Sequence, residues 1–298
     1  MHSTWFAVLL ALASARVGAV GTVLQQTEAA ASDANGWRLL RAMVVRPRWL
    51  LGYGLGFLAV GLAGWALAVG ALLVVQPVGV TSLLFALPLA AHYTGQRMTS
   101  RQWVTAAVLT VALAAFVAVG RPTEGDAIQP LSRWLVVVVP GLALVGAVVV
   151  TGGRQHEPHR RALLLAVGTG IMFGIQAALT KASLVIGTSD GLAVRALLTS
   201  WEPYALIVMA VASVGLQQLA FQAADLSASQ PAITVLTPIS GACCGILVFG
   251  ERLQTTSWGW AVVVVAVVAM AWATIQLART AGARPAVRPP VTTRAAST

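Results

Sequence analysis

The sequence predicts an all-α polytopic membrane protein, with about nine transmembrane helices in two inverted four-helix repeats joined by a linker helix. Three observations predict it. Of 298 residues, 58% are hydrophobic and 9% charged, with a mean hydropathy of +0.82. A soluble domain carries roughly a quarter charged residues. Apolar runs of around 20 residues, enough to cross about 30 Å of hydrocarbon, recur from end to end. Two stretches about 155 residues apart also repeat each other. Gln76-Pro77 opens an apolar segment ending at Gly95-Gln96-Arg97-Met98, followed by Trp103 and Ala106. Gln230-Pro231 opens another, ending at Gly250-Glu251-Arg252-Leu253 and followed by Trp258 and Ala261.

The spans fall at about 5–26, 49–73, 75–95, 103–120, 133–151, 162–186, 203–223, 228–249 and 256–278. Span 1 also reads as the apolar core of a signal peptide, with Ala13-Ser14-Ala15 as cleavage site. No Lys or Arg precedes it, however, and it has a repeat mate, so it is expected to stay. Residues 27–48 are too polar to cross and predict a short amphipathic helix on the membrane surface, carrying Trp37, Leu39, Leu40 and Met43. The short joints after 73 and after 223 predict close helical hairpins.

The repeat extends to the other spans. An offset of 153 sets Leu12-Ala13 on Leu165-Ala166 and Gly21 on Gly174; an offset of 154 sets Ala66 on Ala220 and Leu72 on Leu226. Spans 1–4 thus map onto spans 6–9. Mates are separated by an odd number of crossings and run in opposite directions, the ground plan of many secondary transporters. The chain divides into a first membrane repeat (1–120), a linker helix and polar loop (121–161), a second repeat (162–278) and a tail (279–298). The tail is rich in Arg, Pro, Ala and Thr, a composition expected to be disordered.

The formal net charge of +10 is a topology signal. Connections on one side hold 13 Arg and those on the other hold 4, Arg121, Arg133, Arg195 and Arg252. The positive-inside rule then sets the N-terminus outside and the C-terminus in the cytoplasm of a multi-pass plasma-membrane protein. The lipid bilayer is the expected surrounding, and no nucleic acid is expected. Self-association as a homodimer is left open.

Polar side chains within spans are costly and tend to face a cavity or a neighbouring helix. Candidate substrate-binding residues are therefore Arg16, Gln25, Gln76, Gln176, Lys181, Gln218, Gln222 and Gln230. Gln218 and Gln222, four apart, share one helix face. Each Gln can equally serve as an interhelical hydrogen bond, worth about 0.6 kcal/mol. Arg16 could attract an anion or bond to backbone carbonyls, and Lys181, nearer a span end, could snorkel to the surface. Prolines inside repeated spans mark candidate hinges at Pro88 and Pro238. Pro77 and Pro231 sit at helix starts, where proline costs little.

All nine acids fall in connections or at span ends. No phosphate-binding loop, zinc-ligand spacing or nucleophile–base pair occurs, so no enzyme activity, cofactor or metal site is expected. Cys243 and Cys244 are adjacent and read as small packing residues.

Gly250-Glu251-Arg252-Leu253 after span 8 resembles the EamA-type signature of the drug/metabolite transporter superfamily. Within it, Pro47-x-Trp49-x-x-Gly52, Gln76-Pro77-Val78-Gly79-x-x-Ser82, Lys181, Gln218 and Pro238-Ile239 resemble the NIPA-type magnesium transporters. The resemblance spans about residues 5–278 and implies a permease that moves a small solute, with Mg²⁺ movement as the alternative. Where that branch carries glutamates, this chain has Val60 and Gln96. Mg²⁺ wants oxygen ligands, commonly carboxylates. With an Arg within the spans and no acid, the expected substrate is a neutral or anionic organic solute. A non-transporting role in lipid handling or assembly is the other class open.

Overall fold

The structure is a computed structural model that describes residues 2–30, 47–94, 98–188, 193–223 and 226–282. Its helices are α1 (His2–Ala30), α2 (Pro47–Val69), α3 (Leu72–Gly79), α4 (Ser82–Thr94), α5 (Ser100–Gly120) and α6 (Leu131–Gly153). There follow α7 (Pro158–Thr188), α8 (Ala193–Thr199), α9 (Glu202–Ala223), α10 (Leu226–Leu247) and α11 (Ser257–Gly282). Two strands, β1 (Pro122–Thr123) and β2 (Arg252–Leu253), complete it.

Among the described residues, nine helical segments are long and apolar enough to cross a membrane, each within a few residues of its expected span. The protein is an all-α polytopic membrane protein. The surface helix expected at 27–48 lies largely outside the described residues, although α1 continues as far as Ala30. Span 3 is broken in two. Val80 and Thr81 donate to the carbonyls of Pro77 and Val78, tightening the chain into a turn between α3 and α4. A break in the ladder is tolerable where protein, not lipid, satisfies the freed groups.

The packing follows the repeat. α1 lies along α2 and against α3 and α4, while its mate α7 lies along α9 and against α10. Across the middle, mates meet: α3 packs on α10 and α5 on α11. β1 pairs antiparallel with β2, Pro122 opposite Leu253 and Thr123 opposite Arg252. That ladder holds the connection after α5 and the connection after α10 at the same end. Four spans separate them, an even number, as the span count requires.

Local chemistry fixes the ends of the elements. Thr99 and Gln102 form a capping box at the start of α5, and Arg121 closes that helix in the left-handed region at φ 40°. Gly250 has φ 71°, where glycine is unstrained, and turns the chain back after α10. The Glu251 amide then donates to Gly245 O at 2.9 Å, which tucks the Glu251 side chain under the helix it has just left.

Candidate functional site

The joint between α2 and α3 is only Gly70 and Ala71, and no side chain of its own caps α3. The first amides of a helix lack intrahelical partners and carry the positive end of its dipole. Glu251 supplies the missing acceptors from the far half of the chain. Leu72 N donates to its Oε1 at 2.8 Å and Leu73 N to its Oε2 at 2.9 Å. Lys181, on α7, donates to the same Oε1 at 2.7 Å and to Gly70 O at 2.8 Å. The pair is buried, with side chains 4% and 0% exposed. The ammonium also stands 5.3 Å from the centre of the Phe249 ring. Phe249 in turn meets Trp134 edge-on, and Trp134 meets Trp201.

Gly245 makes room for this arrangement. A Cβ there would lie 2.6 Å from Glu251 Oε2, so only a glycine lets the carboxylate reach α3. The result is a latch at one end of the bundle. Second-half residues Lys181 and Glu251 grip the backbone of the first half at Gly70, Leu72 and Leu73. A buried pair survives only when its remaining hydrogen-bonding capacity is also met. Here the backbone of α3 meets it.

Beside the latch lies a cavity of about 370 Å³ between α3, α5, α10 and α11, the helices where repeat mates meet. Leu73, Leu109 and Phe116 form its buried floor. Pro77 and Pro238 stand in its walls, and the lining is apolar apart from Thr234 and Thr274. The Thr234 hydroxyl is already spent on Gln230 O at 2.8 Å. Leu73 belongs both to the floor and to the latch, so the two are mechanically joined.

The structure does not gather the eight candidate residues into one cavity. Lys181 enters the latch. Gln25 donates from Nε2 to Gly52 O at 2.9 Å, tying α1 to α2. Gln176 Oε1 accepts from Ser213 Oγ at 2.8 Å, tying α7 to α9. Gln76 packs against Gly241 where α3 meets α10. Gln230, at the start of α10, is half-buried, and its Oε1 has no hydrogen-bond partner among the described residues. Gln218 and Gln222 lie on an exposed face of α9, and Arg16 on an exposed face of α1. Of the two candidate hinges, Pro238 lines the cavity, whereas Pro88 lies within α4 away from it.

Glu251 belongs to the repeated Gly250-Glu251-Arg252-Leu253 segment, but the sequence did not mark it as a site residue. It stands in a connection, and nothing in its spacing shows that Gly250 folds it back inside. One signal was present: it is the acid of the repeated segment, and Lys181 is the chain's single lysine.

Comparison with known proteins finds a relative in Corynebacterium glutamicum, the uncharacterized protein Cgl0250/cg0304. The two are 37% identical over 284 residues, covering 94% of this chain and 97% of the relative. No family model matches the chain, and no solved structure matches it.

Proposed function

We propose a permease, on the premise that the chain belongs to the same family as the Corynebacterium glutamicum protein. It moves a small organic solute, neutral or anionic, across the plasma membrane by alternating access between its two halves. The observation that carries this reading is the buried Lys181–Glu251 pair by which the second half clamps the backbone of the first at one end of the bundle. Inverted-repeat transporters hold their substrates at the interface between repeats and rock the halves about it. The resemblance to the drug/metabolite transporter superfamily supports the same reading.

The latch gives the rocking motion a physical switch. With Lys181 on Glu251, the first turn of α3 is pinned to the second half. Opening that end separates the charges, and water entering the gap takes over their solvation. Desolvation thus favours neither state overwhelmingly, as a bistable element requires. By the Arg asymmetry this is the outer end, which makes the structure outward-closed.

The experiment compares metabolites in deletion and overexpression strains, then measures proteoliposome flux of the solute that changes most. The expected result is flux by the wild type that is lost in Lys181→Met at equal protein content. Mg²⁺ uptake into indicator-loaded wild-type liposomes would overturn it in favour of magnesium movement. No carried solute at all would favour a lipid-handling or assembly role. Orientation is read separately, in a background with Cys243 and Cys244 replaced by Ser. An impermeant thiol reagent added outside should label Asp126→Cys and not Glu157→Cys, both of them exposed positions.

A further inference from the structure

The cavity between α3, α5, α10 and α11 is lopsided in a way that identifies its occupant. Its floor is fully packed, with Leu109 1% and Phe116 4% exposed. Its rim is open: Ile246 on α10 and Val264 on α11 are 49% and 57% exposed. Both rim helices are membrane spans, so the opening faces the bilayer and not water. The lining runs along α11 from Trp260 to Thr274. Fourteen residues at 1.5 Å each make roughly 21 Å, about two thirds of a hydrocarbon core. A polar molecule gains nothing on such a wall, and a hydrocarbon chain enters it from the bilayer without desolvation.

One end of the groove supplies a counterpart for a head group. Leu253 lines the groove, and its neighbour Arg252 is exposed in the connection between two spans. Arg121, also exposed, is held alongside by the bond from Gln254 N to its carbonyl at 3.4 Å. Neither guanidinium makes an ion pair with another described residue. Two exposed guanidiniums carried on adjoining connections can offer the planar, bidentate donors that phosphate oxygens accept.

We propose that this groove binds one anionic phospholipid, its acyl chain along α11 and its phosphate at Arg121 and Arg252. The site stands whether or not the chain proves to be a permease, because it is read by occupancy and not by flux. The test is native mass spectrometry of detergent-purified protein titrated with phosphatidylglycerol or phosphatidylcholine. One phosphatidylglycerol should be retained, at least tenfold more tightly than phosphatidylcholine. Ala242→Trp, which fills the groove, should cut that affinity at least tenfold. Ile246→Trp, at the exposed rim where folding is not at stake, should do the same. The pair Arg121→Gln and Arg252→Gln should erase the preference between lipids. Equal retention of the two lipids by the wild type, or unchanged retention by Ile246→Trp, would overturn the proposal.

Discussion

α1 and α7 are repeat mates with similar apolar composition and opposite fates. Of the crossing segment of α7, 61% is buried inside the protein, against 33% for α1. The cause is the linker. α6 packs on α7 and α2 reaches it as well, so α7 becomes the central post of the bundle while α1 stays at its margin. Within its apolar span (5–26 or 162–186) each mate carries a single Lys or Arg, and burial decides what each does. Lys181 is driven into the interior, where it must find a partner, and it finds Glu251 and Gly70 O. Arg16 stands exposed on the outer face of α1, whereas its mate Thr169 is wholly buried and spends its hydroxyl on Leu165 O. An internal repeat therefore fixes topology, but it does not fix the environment of mated positions.

The largest effect should come from the latch. Glu251→Ala strands the Lys181 charge and two amides of α3 at once, and should cost about 3–5 kcal/mol. Lys181→Met should cost less, because the carboxylate keeps Leu72 N and Leu73 N. The double variant should be more stable than the sum of the two losses allows, with a coupling of about 1–3 kcal/mol. Thermal unfolding in detergent measures all three. Strict additivity would show that the pair does not act as a unit, and the contrast between α1 and α7 would lose its energetic basis.

Gly245→Ala comes next. Its Cβ would sit 2.6 Å from Glu251 Oε2, so the carboxylate must shift away from α3. About 1–3 kcal/mol is expected, as for other overpacking changes. The same substitution in the Glu251→Ala background should cost far less, since the clash is gone. Equal cost in both backgrounds would locate the damage elsewhere in α10.

What was legible in the sequence follows from these cases. Spans, their number and the mating of repeats rest on hydropathy and periodicity, which act locally and along the chain. Gln25, Gln176 and Lys181 were legible as polar groups in need of partners, because hydrocarbon offers none. Their partners were not legible. Gly52 O, Ser213 Oγ and Glu251 lie 27, 37 and 70 residues away, and only packing selects them. The cavity was invisible for a simpler reason: its lining is made of the same Leu, Val and Ala that face lipid elsewhere.

A smaller effect tests that reading of the glutamines. Gln176→Leu removes the bond from Ser213 Oγ on α9, a single interhelical contact of about 0.6 kcal/mol. Stability should fall by that order, with flux retained. Loss of flux at unchanged stability would return Gln176 to the substrate path and place that path at the α7–α9 seam.

The smallest change should follow Arg16→Leu, and it bears most directly on the two mates. Arg16 sits near the middle of the Thr4–Gln25 span, on an exposed face. A central Arg costs roughly 2.5–3.5 kcal/mol on insertion scales. Leucine at that position should raise the yield of membrane-inserted protein. No described residue forms an ion pair with Arg16, so the unfolding midpoint should move by no more than about 1 °C. Flux should persist, since the latch lies on other helices. If Arg16→Leu instead abolished flux while inserted protein rose, the exposed face of α1 would have to meet something in the working assembly. The margin of the bundle would then be as functional as its centre.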